Sequence, residues 1–175
     1  HNRCRRQRQM CIRDSHISSA EKQGANIVVD GRDAIVRGYE NGFYVGGTLI
    51  DKVTPQMDSY KAEIFGPVLQ IVRVETMKDA MSLIDNHEYG NGTCIFTRDG
   101  EAARYFSDHI KVGMVGVNIP LPVPVAYHSF GGWKRSLFGD LHAYGPDSIR
   151  FYTKRKTITQ RWPSTGVREL SLIHI

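Results

Sequence analysis

Between residues 67 and 118 the chain alternates between two hydrophobic periods, and no other feature of the sequence restricts the fold so much. Residues 67–74 are almost continuously apolar (Val68, Leu69, Ile71, Val72, Val74), the pattern of a strand covered on both faces and therefore expected at the centre of a sheet. Thr76 follows as a helix N-cap with Asp79 at the capping-box position, and Met77, Ala80, Met81 and Ile84 share one helical face. Residues 90–96 read as a strand. Asp99 caps a second helix with Ala103, Phe106 and Ile110 on its inner face, and residues 113–118 form another short apolar run. Strand, helix, strand, helix, strand predicts an α/β fold with a parallel sheet and right-handed crossover helices.

The flanking segments are less regular. Residues 17–23 read as the end of a helix stopped by Gly24, with residues 25–29 as a strand after it. Asn41-Gly42 precedes a strand-like run at 43–50. Pro120, Pro122 and Pro124 fall at every second position, which forces an extended and stiff loop. Residues 151–161 alternate β-branched or aromatic side chains with cations (Tyr152, Lys154, Lys156, Ile158, Arg161) and predict a solvent-facing strand with no hairpin partner nearby.

Composition excludes several classes. With 175 residues, 41% hydrophobic and 23% charged, the chain has a globular profile, and no run approaches the roughly 18–20 apolar residues of a membrane span. No secretory signal is visible, so a cytoplasmic setting is expected. The net charge of +5 sits at one end: residues 1–15 hold Arg3, Arg5, Arg6, Arg8 and Arg13 against Asp14 alone. The remainder is nearly neutral, which argues against nucleic acid as a partner.

Both ends share a peculiarity of coding. Residues 10–15 (Met-Cys-Ile-Arg-Asp-Ser) and 170–175 (Leu-Ser-Leu-Ile-His-Ile) can be encoded by reverse-complementary DNA, ATG TGT ATA AGA GAC AG and CTG TCT CTT ATA CAC AT. This resembles a sequencing adapter read through at both ends. Residues 1–15 and the end of the 164–175 tail are therefore expected to be non-native; the alternative is a natural arginine-rich arm.

Of three cysteines, only Cys94 lies outside the first 15 residues, between apolar strand residues, and it reads as a buried, inert thiol. No Cys or His cluster has metal-ligand spacing, so no metal site is expected. His128 and His142 read as loop residues without a partner in sequence. Lys154, Arg155 and Lys156 read as a solvated or edge-guarding face. The segment 63–68 stands out because a carboxylate at the mouth of a sheet, Glu63, can accept two hydrogen bonds from a vicinal diol while Phe65 presses on a planar ring. On spacing alone, a surface Glu and a core Phe flanking a Gly-Pro turn is the favoured reading.

Three motifs in order change that balance. Glu63-x-Phe65-Gly66-Pro67-Val68, then Gly113-x-Val115-x-Val117-Asn118, then Phe130-Gly131-Gly132-Trp133-Lys134-Arg135-Ser136 resemble the C-terminal part of the NAD-dependent aldehyde dehydrogenase superfamily. The resemblance spans about residues 17–162. Ser136-Leu137-Phe138-Gly139-Asp140 and the proline-rich 118–124 segment are most similar to its CoA-acylating methylmalonate-semialdehyde dehydrogenase branch. Ala62 departs from the superfamily, where a second Glu is common.

The resemblance implies a Rossmann-type NAD domain, a catalytic α/β domain with a nucleophilic Cys, and an oligomerisation strand. In such enzymes the thiolate attacks the aldehyde, hydride passes to nicotinamide, and the thioester moves to coenzyme A with loss of CO2, giving propionyl-CoA or acetyl-CoA. It divides the chain into the adapter-like 1–15, the C-terminal part of the catalytic domain at 16–149, a projecting oligomerisation strand at 150–163, and a tail at 164–175. It assigns Glu63 to the nicotinamide ribose, Phe65 to the nicotinamide and Phe130 to the aldehyde channel. No catalytic residue is expected within the chain, the nucleophile lying upstream of residue 16. The expected partners are a small semialdehyde, NAD, coenzyme A and further copies of the chain, joined as a dimer or tetramer through residues 152–161, from Tyr152 to Arg161. Neither membrane nor nucleic acid is expected, and in a eukaryote the setting would be the mitochondrial matrix. The alternatives are a non-acylating aldehyde dehydrogenase and a non-enzymatic interaction module.

Overall fold

The computed structural model describes residues 2–42 and 44–162, with side chains from Met10 onward; the expected tail at 164–175 and the start of the 43–50 run lie outside the described residues. Helix α1 (Asn2–Lys22) runs unbroken through the junction at residues 15 and 16. It ends where Gly24 takes φ 99°, a left-handed conformation that glycine adopts without steric cost. Ala25 N–H then reaches back to Ala20 O (2.9 Å) and Gly24 N–H to Glu21 O (3.1 Å), the paired bonds that close a helix C-terminus.

Strands β1 (Asn26–Val29) and β2 (Thr48–Asp51) pair antiparallel with an irregularity at Val28, and β3 (Val68–Gln70) pairs with β2 in parallel. The centre of this sheet is β2, so residues 67–74 do not form the central strand expected from their apolar run. Among the described residues only Val68–Gln70 enters the ladder, and at an edge. Leu69 is 65% exposed, and Val28 and Val29 are each about half exposed, because no described residue covers that side. The run expected at 43–50 reaches the ladder only at Thr48 and continues to Asp51. Between β2 and β3 lies a one-turn helix, α2 (Asp58–Lys61). Ile17 and Ala20 of α1 pack with Ala25, Ile50, Val53 and Met57 as the core here.

The second unit follows its sequence more closely. Helix α3 (Met77–Asn86) starts at Thr76, whose hydroxyl accepts from Asp79 N–H (3.1 Å) and donates to the Asp79 carboxylate (2.6 Å). Helix α4 (Gly100–His109) starts at Asp99, which accepts from Glu101 and Ala102 N–H. The single strand expected at 90–96 is two: β4 (Tyr89–Gly90) and β5 (Gly92–Ile95). They separate at Asn91 because they have different partners. β5 pairs in parallel with β6 (Met114–Val117), whereas β4 pairs antiparallel with β7 (Trp133–Lys134). Asn118, at φ 57°, extends the β5–β6 ladder with its side chain, accepting from Thr97 N–H (2.9 Å) and donating to Thr97 O (3.0 Å). Met81, Phe106, Ile110 and Val112 form the core between the helices and this pair of strands.

The architecture is thus mixed α/β, with three short sheets among the described residues, paired in both orientations, rather than one parallel sheet. At the C-terminal side, Phe151 and Tyr152 belong to a helix, α5 (Asp147–Tyr152), not to a strand. Residues 153–162 are exposed and form no ladder among the described residues. No described helix is long and apolar enough to cross a membrane.

Candidate active site

An open cavity of about 420 Å³ lies where the exit from α2 meets the turn around β4 and β7. Tyr60, Ala62 and Glu63 line one side; His87, Tyr89, Asn91, Arg135 and Ser136 line the other. The fold therefore brings together residues of two sequence motifs, 63–68 and 130–136.

The second wall is built by hydrogen bonds from the 130–136 motif. Lys134, held at φ 54°, gives all three ammonium hydrogens' worth of bonding to carbonyls at the end of α3: Ile84 O (3.1 Å), Asp85 O (2.9 Å) and His87 O (3.1 Å). A cation at a helix C-terminus also meets the negative end of the helix dipole. Arg135 pairs with Glu88, which raises the guanidinium pKa above its ordinary value, and lies 5.5 Å from the centroid of the Tyr89 ring. Ser136 Oγ accepts from Gly90 N–H (3.1 Å). Gly132 is buried there, and a side chain in its place would crowd the site: an added Cβ would lie 2.5 Å from Ser136 Cβ.

On the first wall, the Tyr60 hydroxyl donates to Leu83 O (3.5 Å), and burial raises its pKa above 10.0. Glu63 is exposed and its carboxylate makes no hydrogen bond or ion pair among the described residues. Phe65 is 78% exposed and does not line the cavity. Phe130 does not line it either; its half-buried ring stacks on Tyr144 at 4.9 Å with planes 7° apart. The structure thus joins Glu63 to Arg135 and Ser136, and holds Phe65 and Phe130 elsewhere.

Two residues differ from their sequence reading. Cys94 is half-buried rather than buried: it lies on β5 beside Gly116, where an added Cβ would be 3.0 Å from Sγ. His142, which lacks a partner in sequence, has its Nδ1 3.6 Å from the Asp147 carboxylate, and its ring packs on Gly131. Sequence reasoning missed Tyr60, His87, Tyr89 and Asn91. A histidine just past a helix end has no periodic or motif signal; its role appears only once the fold sets a carbonyl before it.

The chain belongs to the aldehyde dehydrogenase family, whose sequence pattern matches residues 5–158. It is 70% identical over 156 residues to the malonate-semialdehyde dehydrogenase of Pseudomonas aeruginosa, covering 89% of this chain and 31% of that protein. The crystal structure of methylmalonate-semialdehyde dehydrogenase from Oceanimonas doudoroffii superposes with a TM-score of 0.84 at 78% identity, over 94% of this chain and 33% of that one. A Sinorhizobium meliloti structure assigned to the same enzymes, and complexed with NAD, superposes equally well (TM-score 0.84, 58% identity, 93% and 33% coverage). The chain spans about a third of the length of these relatives.

Proposed function

We propose that this chain is the C-terminal part of an NAD-dependent, CoA-acylating methylmalonate- or malonate-semialdehyde dehydrogenase. The identity to the Pseudomonas aeruginosa enzyme carries the reading. The full-length enzyme would convert semialdehyde, coenzyme A and NAD into propionyl-CoA or acetyl-CoA, CO2 and NADH. Its nucleophilic Cys belongs to the part of the enzyme that precedes these residues, since Cys94 sits half-buried in a strand.

The residues present fit NAD. An exposed carboxylate without a partner, Glu63, is free to accept both hydroxyls of a ribose, and the bare ring of Phe65 two positions on is free to lie against a planar heterocycle. Bound NAD supplies the hydride acceptor. This chain's own task is to orient the ribose through Glu63 and, through Phe130, to line the aldehyde path.

We further assign the exposed segment 153–162 to assembly: its unused backbone groups would extend a sheet in a second copy, giving a dimer or tetramer. A cytoplasmic setting, or the mitochondrial matrix in a eukaryote, goes with this function.

The test is CoA-dependent NADH formation by the full-length enzyme from either semialdehyde. Glu63→Gln is expected to lower kcat by roughly tenfold or more at unchanged Tm, because a misplaced ring loses its alignment for hydride transfer. Unchanged NAD kinetics would remove Glu63 from the site. NADH formed without coenzyme A, with a free acid as product, would favour a non-acylating enzyme. The 175-residue chain alone should form no NADH, and Ile158→Pro should shift the assembly toward smaller species in sedimentation.

A further inference from the structure

We propose that His87 is a positioning residue: its neutral ring clamps the exit of α2 and thereby aims Glu63 into the cavity. The proposal rests on the reading of Glu63 as the ribose ligand. His87 belongs to neither of the two motifs that form the cavity walls, yet it is bonded to both sides. Its carbonyl accepts from Lys134 Nζ (3.1 Å), its Nδ1 lies 3.1 Å from Tyr89 N, and its Nε2 lies 3.4 Å from Tyr60 O.

The partners decide the tautomer. A backbone N–H can only donate, so Nδ1 facing Tyr89 must carry a lone pair, and the proton resides on Nε2, facing a carbonyl that can only accept. The neutral ring fills both roles at once. The Tyr60 carbonyl lies in the last turn of α2, where helical carbonyls have no partner further along the helix. The Tyr60 ring meets the imidazole edge-on at 5.3 Å, and the Tyr60 hydroxyl is held by Leu83 O.

Position then passes along the backbone. Ala62 caps α2 in an extended conformation (ψ 141°), and Glu63 is the next residue. Among the described residues the α2 exit is also anchored by Gln70 Nε2 donating to Ser59 O (2.9 Å) and by the Tyr60 hydroxyl on Leu83 O. Glu63 makes no side-chain bond of its own to a described residue, so its direction depends on these anchors and on His87. A ribose contact requires that direction to be kept within a fraction of an ångström.

Two conservative substitutions separate the ring's two roles. His87→Gln places an amide N–H near the position of Nε2 and can keep the bond to Tyr60. His87→Asn keeps an acceptor near Nδ1 for Tyr89 but does not reach Tyr60. In the full-length enzyme His87→Asn is expected to lower kcat roughly fivefold with KM for NAD within about twofold, the same parameter that Glu63→Gln lowers and the scale of one neutral hydrogen bond, while His87→Gln stays within about twofold in both. In the 175-residue chain, amide hydrogen exchange at 62–64 should quicken in His87→Asn and not in His87→Gln, and long-range proton–nitrogen NMR should find the wild-type ring protonated on Nε2. A proton on Nδ1, or equal effects of the two substitutions, large or small, overturns the proposal. If the wild-type enzyme forms no NADH, the dehydrogenase reading falls, and the exchange and tautomer measurements still decide on the clamp.

Discussion

The two units that flank the cavity are sealed by different means. In the second, α3 and α4 lie on β5 and β6, and the core of Met81, Phe106, Ile110 and Val112 is closed by helices that start at their own side-chain caps. In the first, the sheet leaves Val28, Val29 and Leu69 bare, and its loops are tied by charge across the chain. Arg13 of α1 is 3% exposed and lies 3.4 Å from both Gly31 O and Gly46 O. Arg32 bridges Asp30 and Glu21, and Arg73 bridges Asp51. One unit is held by packing between neighbours in sequence, the other by contacts that no local pattern announces.

If the two cores are separate, damage to each should add. Phe106→Ala is expected to cost about 4 kcal/mol and Ile50→Ala about 3 kcal/mol, since both side chains are almost fully buried. The double variant should cost their sum to within about 0.5 kcal/mol in urea denaturation. A strong coupling between them would merge the two units into one.

Next come the close backbone crossings, one in each unit. An added Cβ at Gly113 would lie 1.9 Å from Gly131 O, and one at Gly31 would lie 2.2 Å from Gly46 O. Backbone cannot swing aside as a side chain can, so Gly113→Ala and Gly31→Ala should each cost about 2 kcal/mol by the same denaturation measurement. A neutral Gly31→Ala alone would show the first unit to be the more yielding.

The same contrast explains what could be read in advance. α3 and α4 were legible because Thr76, Asp79 and Asp99 sit beside the periodic faces they cap. The β4–β7 pair was not, since Gly90 meets Trp133 across more than forty intervening positions and the ladder is two residues long. Residues 67–74 misled because an apolar run records that a strand is meant to be covered, without saying by what. At 151–161 the alternation was real, but Asp147 in the first turn of α5 carries the helix through Phe151 and Tyr152, and Thr153 closes it by bonding Ile149 O. In the cavity, Glu63, Arg135 and Ser136 were legible through their motifs. Tyr60 was not, because α2 is too short to show a period, nor was His87, which lies just past the end of α3.

A smaller effect separates cap from core within the second unit. Asp99→Ala removes the acceptor for two N–H groups at the start of α4 and should cost about 1 kcal/mol, with hydrogen exchange quickened in the first turn of that helix before the core amides respond. Uniform exchange throughout the unit would mean that the cap is inseparable from the packing behind it.

The smallest expected effect is electrostatic and belongs to the first unit. Asp51, at the end of β2, accepts from the Arg73 guanidinium (2.9, 3.3 and 2.8 Å) and from Lys52 N–H (2.7 Å), and both hold its carboxyl below the ordinary value of 3.8, Arg73 most of all. A depressed carboxyl stabilises the fold fully above its unfolded pKa, near 3.9, and loses that contribution as pH falls through the lower folded value. Stability should therefore fall as pH drops below about 4, and Asp51→Asn should flatten that part of the curve while leaving its neutral end slightly lower. Arg73 is 69% exposed, so the effect should shrink with added salt, as solvent-screened pairs do. Hydrogen exchange resolved by residue makes the decisive reading: acid should loosen the β2–β3 ladder before the β5–β6 ladder, which has no ion pair across it among the described residues. Simultaneous loosening of both ladders would show that the charged unit and the packed unit unfold as one.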